Sequence, residues 1–81
     1  MKKTIKELQF KVIIEQDEDG WYVASVPELE GCYTQGDSYE EAMENIMDAI
    51  KLHIEDRQAE HEDIPASRTV SVSTVGVTVG E

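Results

Sequence analysis

The sequence predicts an α+β fold of order β-β-β-α-β, an antiparallel sheet with one long helix packed on one face. Three observations carry this expectation. Two stretches before residue 27 alternate apolar and polar positions around an Asp-Gly pair. Residues 39–59 repeat apolar side chains at helical spacing behind a capping signal. Residues 69–79 return to alternation.

The first strand is expected in "LQFKVIIEQ", residues 8–16. Leu8, Phe10, Val12 and Ile14 share one parity, while Gln9, Lys11 and Ile13 share the other, the pattern of a half-buried strand. "DEDG" follows, and Asp19-Gly20 marks a hairpin because glycine accepts the positive φ of a tight turn. "WYVASV" is the second strand, rich in aromatic and β-branched residues. Trp21 and Tyr22 are adjacent, so one faces the helix and the other faces away. Pro27 ends this strand because it has no N–H for the ladder. "GCYTQG", bracketed by glycines, is the third strand, and a three-stranded meander is the economical arrangement.

The helix has the clearest start. Ser38 and Glu41 have the capping-box spacing, in which the hydroxyl and the carboxylate each accept from an orphan N–H. Asp37, Glu40 and Glu41 suit the positive end of the helix dipole. Tyr39, Ala42, Met43, Ile46, Ala49, Ile50, His53 and Ile54 then form one stripe, which covers roughly 160° of the helical wheel. Glu41, Glu44, Asp48, Lys51 and Glu55 fill the opposite face, with Leu52 among them as a candidate interface anchor. The helix is expected to reach about Ala59, and "EHEDIPAS" is the linker after it, with Pro65 opposing helix.

The last stretch, "RTVSVSTVGVTVGE", changes phase. Val70 and Val72 share one parity, and Val75, Val77 and Val79 share the other. One regular strand cannot hold both sets on one face. Either a bulge restores the phase, or residues 69–73 pair within the sheet and residues 75–79 leave it for another subunit. With Gly76 and Gly80 present, fraying of the end is a further alternative.

The 81 residues suffice for one domain spanning 1–81. A chain this short buries only roughly 60–65% of its unfolded surface. Its single cysteine cannot form an internal disulfide, so oligomerisation, as a dimer or tetramer, is a plausible source of stability. Acids outnumber bases 18 to 7, for a net charge of −11. Such a domain should repel nucleic acid and attract basic partners. "MKKTIKELQF" has no apolar core of a signal peptide, and no apolar run is long enough to span a bilayer. With a lone Cys and no secretion signal, a cytoplasmic location is expected.

No catalytic or metal constellation is expected, and no cofactor. Cys32 has acids around it rather than the cations that activate a thiol, and reads as a small buried hydrophobe. Asp17, Glu18 and Asp19 crowd one turn, whereas a two-metal nuclease draws carboxylates from several elements. His53 lies on the apolar stripe and His61 in the linker, without a partner at a diagnostic spacing. No phosphate-loop motif is present. One helix leaves the sheet's other face uncovered, so an outward aromatic can serve as an interface hot spot.

Taken together, "DEDGWYVASVPELEGCYTQGDSYEEAMENIMDAI" resembles the HicB-like antitoxin domain. That family's pattern is an Asp-Gly-aromatic turn, a strand, a Pro-Asp-Leu-Pro-Gly-Cys loop, and a Gly-Asp-Thr cap opening a Glu-Glu-Ala helix. It corresponds here to Asp19, Gly20 and Trp21; to Pro27, Glu28, Leu29, Gly31 and Cys32; and to Gly36, Asp37, Ser38, Glu40, Glu41 and Ala42. Glu30 stands for the second Pro and Ser38 for the Thr. The resemblance implies a partial RNase-H-like fold without a working nuclease site. It also implies an antitoxin role against a HicA-type toxin, a small basic mRNA-cleaving ribonuclease that uses a His. Many family members carry a C-terminal DNA-binding domain. No second helical pattern or basic stripe precedes Glu81, so direct DNA binding is not expected.

The expected partner-binding residues are Asp17, Asp19, Trp21, Tyr22, Glu28, Glu44, Asp48, Leu52 and Glu55. Two other functions remain as alternatives. One is a homo-oligomeric binding or assembly module without a toxin, built on the uncovered sheet face and the valine segment. The other is a residual metal-dependent nuclease resting on Asp17 and Asp19.

Overall fold

The structure is a computed structural model that describes residues 7–65 and 68–80. Three antiparallel strands, β1 (Ile13–Gln16), β2 (Tyr22–Ser25) and β3 (Tyr33–Gly36), form a sheet in sequence order. One helix, α1 (Tyr39–Ala59), follows and packs mainly on β3 and β2. The α+β class and the order of these four elements are as the sequence predicts.

β1 is shorter than the expected 8–16, for a local reason. Ile13 pairs with Ser25, so the same register would set Lys11 opposite Pro27, which offers no N–H. The Lys11 carbonyl would have no ladder donor there, and the Lys11 N–H donates to the Glu28 carboxylate (Oε1, 3.1 Å). The parity still holds along the segment: Phe10, Val12 and Ile14 pack against the core. The hairpin between β1 and β2 closes through residues 18–20, with Gly20 at φ 90°. Asp17 holds it: its N–H donates to Trp21 O (2.8 Å), and its Oδ1 accepts from the N–H groups of Asp19 (3.0 Å) and Trp21 (2.9 Å). A residue in the left-handed region at the end of a three-residue loop is the usual home of glycine.

Between β2 and β3 the chain makes two consecutive turns, Leu29 N–H to Val26 O and Cys32 N–H to Leu29 O, each 3.1 Å. They drive Leu29 into the core beside Ala24, Val26, Cys32, Ala42 and Ile46. Leu29 and Ile46 are the largest fully buried apolar side chains, each contributing about 2–3 kcal/mol by burial. Cys32 is a core residue as expected, and burial pushes its thiol up.

α1 opens with Ser38 as its cap, the Glu41 N–H donating to Ser38 Oγ (3.1 Å). Asn45 ties it to β3 through Nδ2 to Gln35 O (2.8 Å). It closes in a Schellman arrangement: Glu62 N–H donates to Arg57 O (2.8 Å) and His61 N–H to Gln58 O (3.2 Å). His61 sits at φ 58°, where a Cβ is unfavourable. Replacing His61 with Gly is therefore expected to raise stability by about 0.5–1 kcal/mol, seen as a higher thermal midpoint in circular dichroism.

The fifth element differs from expectation. Among the described residues, 68–80 join no ladder, and Val72, Val75, Val77 and Val79 are exposed. The chain therefore reads β-β-β-α with an extended C-terminal segment, not β-β-β-α-β. The phase slip is the reason: with two valines on one parity and three on the other, neither face of the segment is apolar along its whole length, so neither holds it in its own sheet. Ala66 and Ser67, the end of the expected linker, lie outside the described residues.

Candidate functional site

The nine residues expected to meet a partner divide into three groups. Glu44, Asp48, Leu52 and Glu55 stand exposed on the outer face of α1. Half-exposed Met47 lies on the same face and went unnoticed in the sequence. It makes that surface acidic with two apolar anchors, Met47 and Leu52, set among the carboxylates.

Asp17, Asp19 and Trp21 form a second group at the hairpin tip, all exposed. The Gln16–Tyr22–Gly36 row and the contact of Gly36 with Glu41 and Ala42 put this tip at the same end of the molecule as the start of α1. Asp37, Glu40 and Glu41, exposed at that start, therefore share an end with Asp17, Glu18 and Asp19. Capping logic had explained the helix acids by themselves, so their meeting with the hairpin acids was visible only in three dimensions. Asp17 is committed to the turn through two main-chain bonds, so its carboxylate shapes the tip as well as charging it. Among the described residues, no group of three or more His, Cys, Asp or Glu is placed to hold a metal ion.

Tyr22 and Glu28 lie elsewhere, and both correct the expectation. Tyr22 shares the inward parity of Ala24 and Val26 and packs against the core, which leaves Trp21 as the outward aromatic. Trp21 is 39% exposed; on β3, Tyr33 is still more so, on the face that α1 does not cover. Glu28 is 1% exposed and is no surface acid. The turn after Pro27 aims it inward, where Oε1 accepts from Lys11 N–H and Oε2 lies 3.5 Å from Lys11 Nζ. Desolvation pushes its carboxyl up. Main-chain N–H groups of Lys11, Glu28 itself and Arg68, with the Lys11 ammonium, outweigh that and hold it below the ordinary range. Glu28 thus joins the β2–β3 loop to the β1 flank.

Two concavities accompany these surfaces. A polar notch at the end of α1 holds His53, Asp56, Arg57, Glu60 and Glu62. Arg57 fills it structurally, donating from Nη1 to Asp63 O (3.2 Å) and pairing with Glu62 (3.9 Å). An apolar groove of about 300 Å³ runs between the start of the first strand region and α1, lined by Leu8, Phe10, Ile50 and Ile54 with Lys51 and Glu55. Among the described residues, no helix is long and apolar enough to cross a membrane.

Comparison with known proteins gives these surfaces a context. Residues 10–76 match the family described as HicB_like antitoxin of bacterial toxin-antitoxin system. A UPF0150 protein of Synechocystis is 46% identical over 66 residues, covering 80% of this chain and 84% of that protein. Antitoxin HicB 1 of Photorhabdus laumondii is 36% identical over 73 residues, 90% of this chain but 47% of that longer protein. The crystal structure of the N-terminal domain of Burkholderia pseudomallei antitoxin HicB superposes with a TM-score of 0.63 at 26% identity, over 80% of this chain and 72% of that one.

Proposed function

The chain belongs to the HicB-like antitoxins of bacterial toxin–antitoxin systems, and from that premise we propose that it binds a HicA-type toxin and blocks its active surface. The toxin would be a small basic mRNA-cleaving ribonuclease. The antitoxin acts in the cytoplasm through this partial RNase-H-like domain, by occlusion and without catalysis. The family match carries this reading, and the charge supports it. With a net charge of −11, and exposed acids on α1 and at the hairpin end, the domain complements a basic protein in both attraction and orientation.

Co-expression with a HicA-type toxin is the test. Restored growth and a co-purifying complex are expected; continued growth arrest with no complex ends the proposal. The α1 face has its own measurement. Glu44→Lys, Asp48→Lys and Glu55→Lys together should slow association about 10-fold at low salt, with the gap closing as salt is added. Stopped-flow rates that do not change would move the contact from α1 to the hairpin end, where Asp17, Asp19 and Trp21 lie.

The exposed valine segment favours a second reading, a homo-oligomeric assembly module without a toxin. A stable oligomer from a locus with no basic neighbour would support it.

A further inference from the structure

Residues 69–80 contain no Asp, Glu, Lys or Arg in a chain of net charge −11. Five of these twelve residues are valine, and most of the others are Ser or Thr, a composition that favours strands. Yet the segment is paired with nothing among the described residues. Val72 is 87% exposed, and Val75, Val77 and Val79 nearly as much. The molecule extends 68 × 27 × 20 Å with a radius of gyration of 16.5 Å, against about 12 Å for a compact chain of this length. A strand-forming apolar arm held in water forgoes both ladder hydrogen bonds and burial.

A receptor of matching kind exists on the same molecule. β1 is an edge of the sheet, and α1 packs mainly on β3 and β2. Among the described residues, the β1 flank is therefore left with an open main-chain edge, and beside it runs the apolar groove of Leu8, Phe10, Ile50 and Ile54. Added there, a strand would gain hydrogen bonds along the edge and could turn alternate side chains towards the groove.

We propose that residues 69–80 of one copy add as a strand along the β1 edge of a second copy and seat valines in the groove beside it, reciprocally, as a two-fold strand exchange. Charge selects a second copy as the occupant. Two bodies this acidic repel each other, and the uncharged arm is where they can approach at least cost. An arm without charge offers a basic toxin no complementarity. Length agrees: twelve extended residues span about 40 Å, enough to leave one body and lie along another. The exchange is self-complementary, so it closes at two copies rather than growing into a fibre.

The inference builds on the antitoxin reading but is measured without a toxin. A chain that dimerises yet captures no toxin refutes only the earlier proposal; one that captures toxin as a monomer refutes only this one. The experiment is light scattering on the full chain over a dilution series, with helical circular dichroism to separate dissociation from unfolding. The wild type should show twice the monomer mass. The combined Val75→Asp, Val77→Asp and Val79→Asp variant, altered only at exposed positions, should fall to half that mass with its helix intact, and Leu8→Asp should do the same. A wild type that stays monomeric throughout overturns the proposal, as does a triple variant that remains dimeric. If the triple variant is monomeric but Leu8→Asp remains dimeric, the arm docks elsewhere and the groove assignment is overturned.

Discussion

Replacing Gly36 with Ala is expected to destabilise the domain by about 3 kcal/mol or more. Gly36 ends β3 where the chain turns into α1, and the helix start lies directly on it. A Cβ there would stand 2.5 Å from Ala42 N and 2.9 Å from Glu41 C. These are main-chain atoms of a capped first turn, held by Ser38 and by Ala42 N–H to Ser38 O (3.0 Å), so they cannot step aside as a flexible side chain would. Relief requires lifting α1 off β3 and exposing Ala42 and Ile46, which are fully buried. A domain of this length has roughly 4–12 kcal/mol in total, so much of the population would unfold. Urea denaturation followed by circular dichroism measures the loss. A midpoint within error of the wild type would mean that the helix start is softer than its hydrogen bonds imply.

Glu28 carries the second large effect. Glu28→Ala removes the acceptor of the Lys11 N–H and leaves that donor, and the Lys11 ammonium beside it, without the carboxylate, at an expected cost of about 2–3 kcal/mol. Glu28→Gln keeps an oxygen for the Lys11 N–H and loses the charge, so it should cost less. The pH dependence gives a separate signature. The folded carboxyl is held below its unfolded value, so the charged form is the one the fold stabilises. Its contribution is fully present above the unfolded value, about 4.3, and is lost as pH falls through the folded value. Wild type and Glu28→Gln should therefore differ most near neutral pH and converge in acid. Parallel curves across that range would show that the carboxylate charge contributes nothing.

The surface legible in the sequence was the part set by local spacing. Glu44, Asp48, Leu52 and Glu55 recur on one side of a helix whose phase follows from its own apolar residues, and all four are exposed. Asp17 and Asp19 followed from the turn chemistry around Gly20. Glu28 had the same composition signal as these acids and a different fate. Its partner, Lys11, is 17 residues away in the sequence. Nothing within a few residues of Glu28 signals inward burial.

The valine segment shows the same divide from the other side. Alternation marked it as a strand, and the phase slip marked it as a poor one for its own sheet. Whether a strand pairs depends on an edge presented by another part of the chain or by another chain.

By itself, then, the sequence determined the three strands, the limits of α1, the turn glycine, the buried Cys32 and the excess of acid. Each rests on interactions between residues a few positions apart, or on composition. The tertiary structure alone decided that Tyr22 rather than Trp21 faces the core, that Glu28 is a buried clamp, that Gly36 admits no Cβ, and that residues 68–80 stand apart from the sheet. Those outcomes depend on packing between elements distant in sequence, where burial and pairing are set by what the rest of the chain leaves open.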